Sequence, residues 1–287
     1  MGYSKGIAMH EVTYALDHLT LRAVESGQGQ PETIIALHGW LDNANTFNEL
    51  RKHLTDYHFV ALDLAGHGHS DHRPPGDTYY IWENVSDLLS LMDLHGYSKV
   101  TLLGHSMGAS VAALFTALFP ERVSRLYMIE GMGPPVYDEK KFPQLMADAI
   151  LKQKRLKRRT LRPYPDLESA IKVRMTSRWP VSRQSAEWLV ERGVKRDENG
   201  FSWCSDHRLM LPSVNRMTEK QVLACLNAIK IPVRLYLGLE GIDMSAAQPR
   251  MDQIAELDVM RLPGNHHLHM DPEPALTIAS DINSTLG

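Results

Sequence analysis

Two cysteines in 287 residues are too few for a disulfide framework, so Cys204 and Cys225 read as free thiols in a reducing compartment. No stretch approaches the roughly 18 consecutive apolar residues that a membrane-spanning helix needs. Residues 1–30 lack the continuous apolar run of a secretory leader, and Gly6 stands where a myristoylation site carries Ser or Thr. A soluble cytoplasmic protein is the expectation. Internal repeats and low-complexity tracts are also missing. With 43% hydrophobic and 23% charged residues the composition is that of a globular chain, which excludes disorder, collagen and coiled coil. The length is enough to bury a core without covalent staples.

The net charge of −3 hides a segregation. Residues 134–216 carry 18 Lys and Arg against 10 Asp and Glu, a balance of +8, while the remainder holds −11. Such a split points to an inserted segment with its own surface. Within it, Lys152–Arg162 has seven basic residues in eleven. That run could bind nucleic acid or acidic lipid. No nucleic-acid module accompanies it, however, and Ile150, Leu151, Leu156 and Leu161 give it an apolar stripe. A solvated helix face is the better reading, and no nucleic-acid partner is expected.

Short runs rich in β-branched residues alternate with helical patterns over the first 130 residues. Strands are expected at 9–16 and 18–25, joined at Asp17, then at 33–37, 59–62, 100–103 and 126–129. Helices are expected near 45–54, 80–95 and 107–119. The middle one carries Ile81, Val85, Leu88, Leu89, Met92 and Leu94 at a largely helical spacing and stops at Gly96. The alternation resumes with strands at 233–237 and 259–262 and helices near 248–257 and 273–285. Strands alternating with helices of this length imply crossovers and a parallel sheet. Between the two blocks, residues 134–230 are helix-like and broken by Pro163, Pro165, Pro180 and Pro212, an excursion that leaves the sheet and returns to it.

Gly104-His105-Ser106-Met107-Gly108 fits G-x-S-x-G, between the strand at 100–103 and the helix at 107–119. In a sharp strand-to-helix turn the glycines avoid collisions and the serine is exposed. The helix behind Ser106 also aims its N–H groups and positive dipole end at whatever the serine attacks. Serine needs a base, and the base an orienter. Gly264-Asn265-His266-His267-Leu268-His269 follows the last strand, where a loop can reach the same sheet edge. His266 is the preferred base, being first after the glycine turn, with His267 the alternate. His38-Gly39-Trp40 follows the strand at 33–37. The Trp40 N–H, with that of Met107, would make an oxyanion hole.

In their order and spacing these features resemble the α/β-hydrolase superfamily over nearly the whole chain. The likeness includes the hairpin, the H-G-W turn, Asp63-Leu64-Ala65-Gly66-His67-Gly68-His69-Ser70, the nucleophile elbow and the terminal histidine loop. More narrowly, H-G-W-L-D-N-A-N-x-F and G-N-H-H-x-H resemble its serine hydrolase-like branch. The resemblance implies an α/β fold with a mostly parallel eight-stranded sheet and an inserted helical cap. The core would comprise residues 1–133 and 231–287, and the cap 134–230. Many relatives place the acid of the triad in a G-x-x-D turn, which here reads Gly238-Leu239-Glu240-Gly241, with Gly241 at the aspartate's place. Glu130, ending the strand after the elbow helix, is therefore preferred, with Asp243 and then Glu240 as alternatives. One subgroup of haloalkane dehalogenases has a glutamate at that strand end. Those enzymes carry an aspartate nucleophile where this chain has Ser106, so dehalogenation is disfavoured.

The expected activity is hydrolysis of small carboxylic esters through Ser106, His266 and Glu130, with Trp40 and Met107 as oxyanion donors and no cofactor or metal. Two other classes remain open. A non-catalytic binding protein could use the same scaffold. A metal-dependent hydrolase could use His67-Gly68-His69-Ser70-Asp71-His72, which fits the H-x-H-x-D-H pattern of the metallo-β-lactamase superfamily. The ordinary reading of that stretch is the loop after the fourth strand of an α/β hydrolase.

Overall fold

A computed structural model describes residues 9–156, 163–244 and 247–287. Ten strands are present: β1 His10–Ala15, β2 Thr20–Ser26, β3 Thr33–Leu37, β4 His58–Asp63, β5 Val100–His105, β6 Val123–Ile129, β7 Val194–Asp197, β8 Gly200–Trp203, β9 Val233–Glu240 and β10 Leu257–Asn265. Eight of them form one sheet in the order β1-β2-β4-β3-β5-β6-β9-β10. Only β2 runs against its neighbours on both sides; every contact from β4 to β10 is parallel. The α-helices are α1 Ile81–Leu94, α2 Met107–Leu118, α3 Phe142–Leu156, α4 Leu167–Met175, α5 Arg183–Gly193, α6 Glu219–Ala228, α7 Gln248–Met251 and α8 Pro272–Leu286. The expected α/β architecture with a mostly parallel eight-stranded sheet is the one observed.

Burial explains why the central strands read as continuous apolar runs. Ile35 and Leu37 of β3 face α1, α2 and α6, where Val85, Leu88, Val111, Phe115 and Leu226 pack on them or nearby. Ile34 and Ala36 face the other way, in the layer containing Phe47, Leu50, Ile278 and Ile282. A strand covered on both faces has no polar alternation to show. Helix α2 is buried from Gly108 to Thr116, so it lacks a polar stripe as well. Helix α1 begins with a side-chain cap, Glu83 accepting from the Tyr80 N–H at 2.8 Å.

Three local expectations are corrected. The helix at 45–54 is instead two short 3-10 turns, Ala44–Phe47 and Leu50–His53. Asn43 accepts a hydrogen bond from the Asn45 N–H, a side-chain-to-backbone bond that tightens the turn. The helix at 248–257 lasts one turn, Gln248–Met251, and β10 pairs with β9 from Leu257 onward. The excursion is not purely helical either, since β7 and β8 form a hairpin, Val194 opposite Trp203 and Asp197 opposite Gly200.

Between β6 and β9 the inserted chain has its own small core, where Ala170 and Ile171 of α4 meet Ala186 and Val190 of α5. It is tied to the sheet by polar bonds. Arg192 Nε donates to the buried Asp63 at 2.8 Å, Asn43 Nδ2 to the Leu189 carbonyl at 2.9 Å, and Asn45 Nδ2 to the Trp188 carbonyl at 3.0 Å. Helix α6, by contrast, places Val222 and Leu226 in the main core against α2. Of the basic run, Lys157–Arg162 lies outside the described residues.

Candidate active site

Parallel strands bring their C-terminal ends to one edge, and that edge collects the residues singled out above. Ser106 follows β5, Glu130 follows β6, His266 follows β10 and Trp40 follows β3 by three residues. Among the described residues three non-glycine positions have left-handed φ: Leu41 at 61°, Ser106 at 53° and Glu130 at 50°. All three lie in these turns. Such backbone costs on the order of 1–3 kcal/mol per residue and persists only where the surroundings over-determine it. Here they do. The Ser106 N–H donates to the Ile129 carbonyl at 2.9 Å, and the Glu130 N–H to the Tyr236 carbonyl at 2.9 Å, so each turn prolongs the sheet's hydrogen bonding. Gly108 admits no side chain, because a Cβ there would collide with the Leu37 backbone.

The side chains form a continuous hydrogen-bonded line. Ser106 Oγ lies 2.9 Å from His266 Nε2, and His266 Nδ1 lies 3.1 Å from Glu130 Oε2. Glu130 is fully buried. Its carboxylate also accepts from the Gly238 N–H at 2.6 Å and the Ile242 N–H at 2.7 Å. With Nδ1–H donating to that acceptor-only carboxylate, Nε2 is left to accept the serine hydroxyl proton. Glu130 is thus the carboxylate that meets His266. Glu240 instead accepts from the Gly264 N–H at 2.8 Å, and Asp243 lines a cavity beside the serine. A Cβ on Gly241 would strike the Glu130 carboxylate, so the glutamate fills the space that a side chain at 241 would occupy.

The remaining histidines have other partners. His105 Nε2 donates to the His266 carbonyl at 2.8 Å, and burial holds its ring well below the usual histidine range, hence neutral. His269 Nε2 pairs with Thr46 Oγ1 at 2.9 Å and is lowered by burial too. His267, the alternate base, faces Asp42 Oδ2 at 3.0 Å rather than Ser106. Arg174 reaches both, Asp42 Oδ1 at 3.2 Å and His267 Nε2 at 2.9 Å. Burial opposes ionisation of Asp42, yet His267 and Arg174 outweigh it and hold the carboxyl well below the usual carboxylate range. Arg174 also donates to the Trp179 carbonyl at 3.1 Å, and the Trp179 ring lies 5.3 Å from that of His266.

Asp42 and Arg174 went unsingled in the sequence. Asp42 belongs to the H-G-W-L-D-N stretch, but its partner lies 132 residues further along, beyond any local pattern. Asp42, His105 and His267 bring metal-ligand-type atoms within 4.8 Å of one another. A guanidinium already supplies the positive charge there. The H-x-H-x-D-H stretch does not converge: His67 Nδ1 pairs with the Ala65 carbonyl, His69 with Glu11, Asp71 with the Thr20 N–H and His72 with the Cys204 carbonyl.

Trp40 is half-exposed, its indole N–H donating to the Leu209 carbonyl at 3.0 Å across to the inserted chain. Met107 opens α2, so its N–H has no partner within that helix. Among the described residues no helix is long and apolar enough to cross a membrane.

Comparison with known proteins agrees with this fold. A family model described as alpha/beta hydrolase fold matches residues 32–175. A serine hydrolase-like protein of Danio rerio is 30% identical over 275 residues, 91% of this chain and 84% of the relative. Serine hydrolase-like protein 2 of Homo sapiens is 26% identical over 92% of this chain and 90% of its own length. The crystal structure of a hypothetical protein from Pseudomonas aeruginosa PAO1 superposes with a TM-score of 0.89 at 38% identity, covering 96% of this chain and 98% of that one. The thioesterase domain from the curacin biosynthetic pathway shares the fold at 23% identity, with a TM-score of 0.84 over 96% and 99% of the two chains. The chain therefore belongs to the α/β-hydrolase superfamily, in its serine hydrolase-like branch.

Proposed function

We propose that this protein hydrolyses carboxylic esters through an acyl-enzyme on Ser106. The observation that carries the reading is the unbroken line from Ser106 Oγ through His266 to Glu130, at 2.9 and 3.1 Å. His266 Nε2 takes the hydroxyl proton as Oγ attacks the acyl carbon, and Glu130 stabilises the imidazolium that forms. The N–H groups of Trp40 and Met107 hold the tetrahedral oxyanion. The carbonyl re-forms as His266 returns the proton to the leaving oxygen. Water then attacks the acyl-enzyme by the same route and releases Ser106.

The inserted chain serves as a cap. Trp179 and Met210 line the same cavity of about 490 Å³ as Ser106, a volume suited to a small-molecule substrate. Labelling with a fluorophosphonate probe tests the reading. The intact protein should be modified at Ser106, and Ser106→Ala should lose both the label and any esterase turnover. An intact protein that refuses the probe would overturn the enzyme reading and favour a binding protein on this scaffold.

A further inference from the structure

Two cavities meet at Ser106, with different linings. The smaller, about 490 Å³, is walled by His266, Trp179, Trp203, Arg174 and Arg178. The larger, about 920 Å³, is walled by Met107, Met132, Met217, Ile81 and Trp82, with Lys152 and Arg216 also on its lining. In the proposed reaction His266 hands its proton to the leaving atom, which must then come within hydrogen-bond reach of Nε2. The leaving group therefore occupies the smaller cavity, on the histidine's side, and the acyl chain the larger one.

The ionic groups of the smaller cavity are matched, with one exception. Asp42 is met by Arg174 at 3.2 Å, Asp206 by Arg208 at 2.6 Å, and His207 Nδ1 lies 3.8 Å from Asp206. Arg178 lies over the Trp179 ring, 5.5 Å from its centroid, and among the described residues no carboxylate pairs with it. Arg178 is exposed, and a guanidinium within cation–π reach of an aromatic face keeps its N–H groups free for a forked anion contact. Trp179 in turn lies against the His266 ring. A cation without a carboxylate partner thus lies over the ring next to the base, on the leaving-group side.

We infer that Arg178 determines specificity by binding an anion, carboxylate or phosphate, on the substrate's leaving group. The substrates would be esters or thioesters of an anionic alcohol or thiol. The inference rests on the hydrolase reading for its assignment of sides. The positive balance of the inserted chain would also steer such substrates toward the opening.

The test uses matched pairs and the full chain. Binding of 3-(carboxymethyl)phenyl hexyl ether and its carbamoylmethyl counterpart is measured by calorimetry, and turnover is measured on the corresponding hexanoate esters. The anionic member should be favoured about five- to tenfold in both assays at low salt, and less at 0.5 M salt. Arg178→Gln should bring both ratios close to one, with Arg178→Lys intermediate. Equal binding by the wild type, or a ratio that Arg178→Gln leaves intact, overturns the assignment. So does a preference for phenyl hydrogen adipate, whose anion sits on the acyl side, over 3-(carboxymethyl)phenyl hexanoate. If neither ester turns over but the ether preference persists and depends on Arg178, the anion site stands and the hydrolase reading fails.

Discussion

Glu130 reaches His266 from the end of β6, and its oxygens lie where a side chain at Gly241 would go. Its φ of 50° is one that glycine adopts freely and glutamate does not. The two positions should therefore exchange roles. Glu130→Gln removes one of the two acceptor oxygens that meet Gly238, Ile242 and His266, and should lower kcat/KM roughly a hundred- to ten-thousandfold. Gly241→Asp alone should be inactive and less stable, because the new side chain collides with Glu130. The pair Glu130→Gly with Gly241→Asp should regain measurable turnover and exceed either single variant. Asp243→Asn abolishing turnover while Glu130→Gln does not would refute the assignment of the acid.

At the scale of elements, the inserted chain is held by side chains rather than by sheet pairing. Its firmest tie is Arg192 of α5, whose guanidinium lies 2.8 Å from Asp63 at the end of β4, both residues being buried. Asp63 also accepts from the Ala44 and His69 N–H groups, at 2.7 and 2.8 Å, so the same carboxylate braces two core loops. Removing one partner of a buried pair leaves the other uncompensated, at a cost of about 3–5 kcal/mol. Arg192→Met should lower stability by that amount, read from urea unfolding. A loss under about 1 kcal/mol would show that the tie is dispensable. The elements themselves were legible where burial imposes a period or a run, as in β3 to β6, α1 and α2. The hairpin of β7 and β8 and the 3-10 turns at Ala44–His53 were not. They are short, and their form is set by side-chain bonds and tertiary contacts that propensity does not record.

For the whole molecule, the histidines make acid the weak direction. Burial lowers His38 to about 4 and His67 to about 3, and pushes His105 and His269 down as well. Each stays neutral in the fold but takes a proton near pH 6.5 once unfolded. Below pH 6.5 the unfolded chain therefore binds more protons, and stability falls as pH drops toward the folded values. The loss is roughly 1.4 kcal/mol per pH unit for each such histidine. Asp42, held low by His267 and Arg174, adds in the same direction below the ordinary carboxylate range. Summed over these rings the loss is on the order of 8 kcal/mol by pH 5, so the melting temperature should fall by roughly 15–30 °C between pH 7 and pH 5, measured by differential scanning calorimetry. A flat profile over that window would mean that these rings are protonated in the fold or solvated.

What the amino-acid order gave alone was the fold class and the chain positions of Ser106 and His266, with Glu130 preferred over Asp243 as the acid. Each follows a strand whose apolar run is visible locally, and parallel strands deliver their ends to one edge. Its charge bookkeeping also marked the inserted chain. Tertiary structure alone decided that Glu130 meets His266, that Asp42, Arg174 and His267 converge, and that the serine opens onto two unlike cavities. These are contacts across more than a hundred residues. The Glu130–His266 contact depends on the order in which β6, β9 and β10 pair, and the Arg174 contacts and cavity walls on where the inserted helices come to rest, and no local period specifies either.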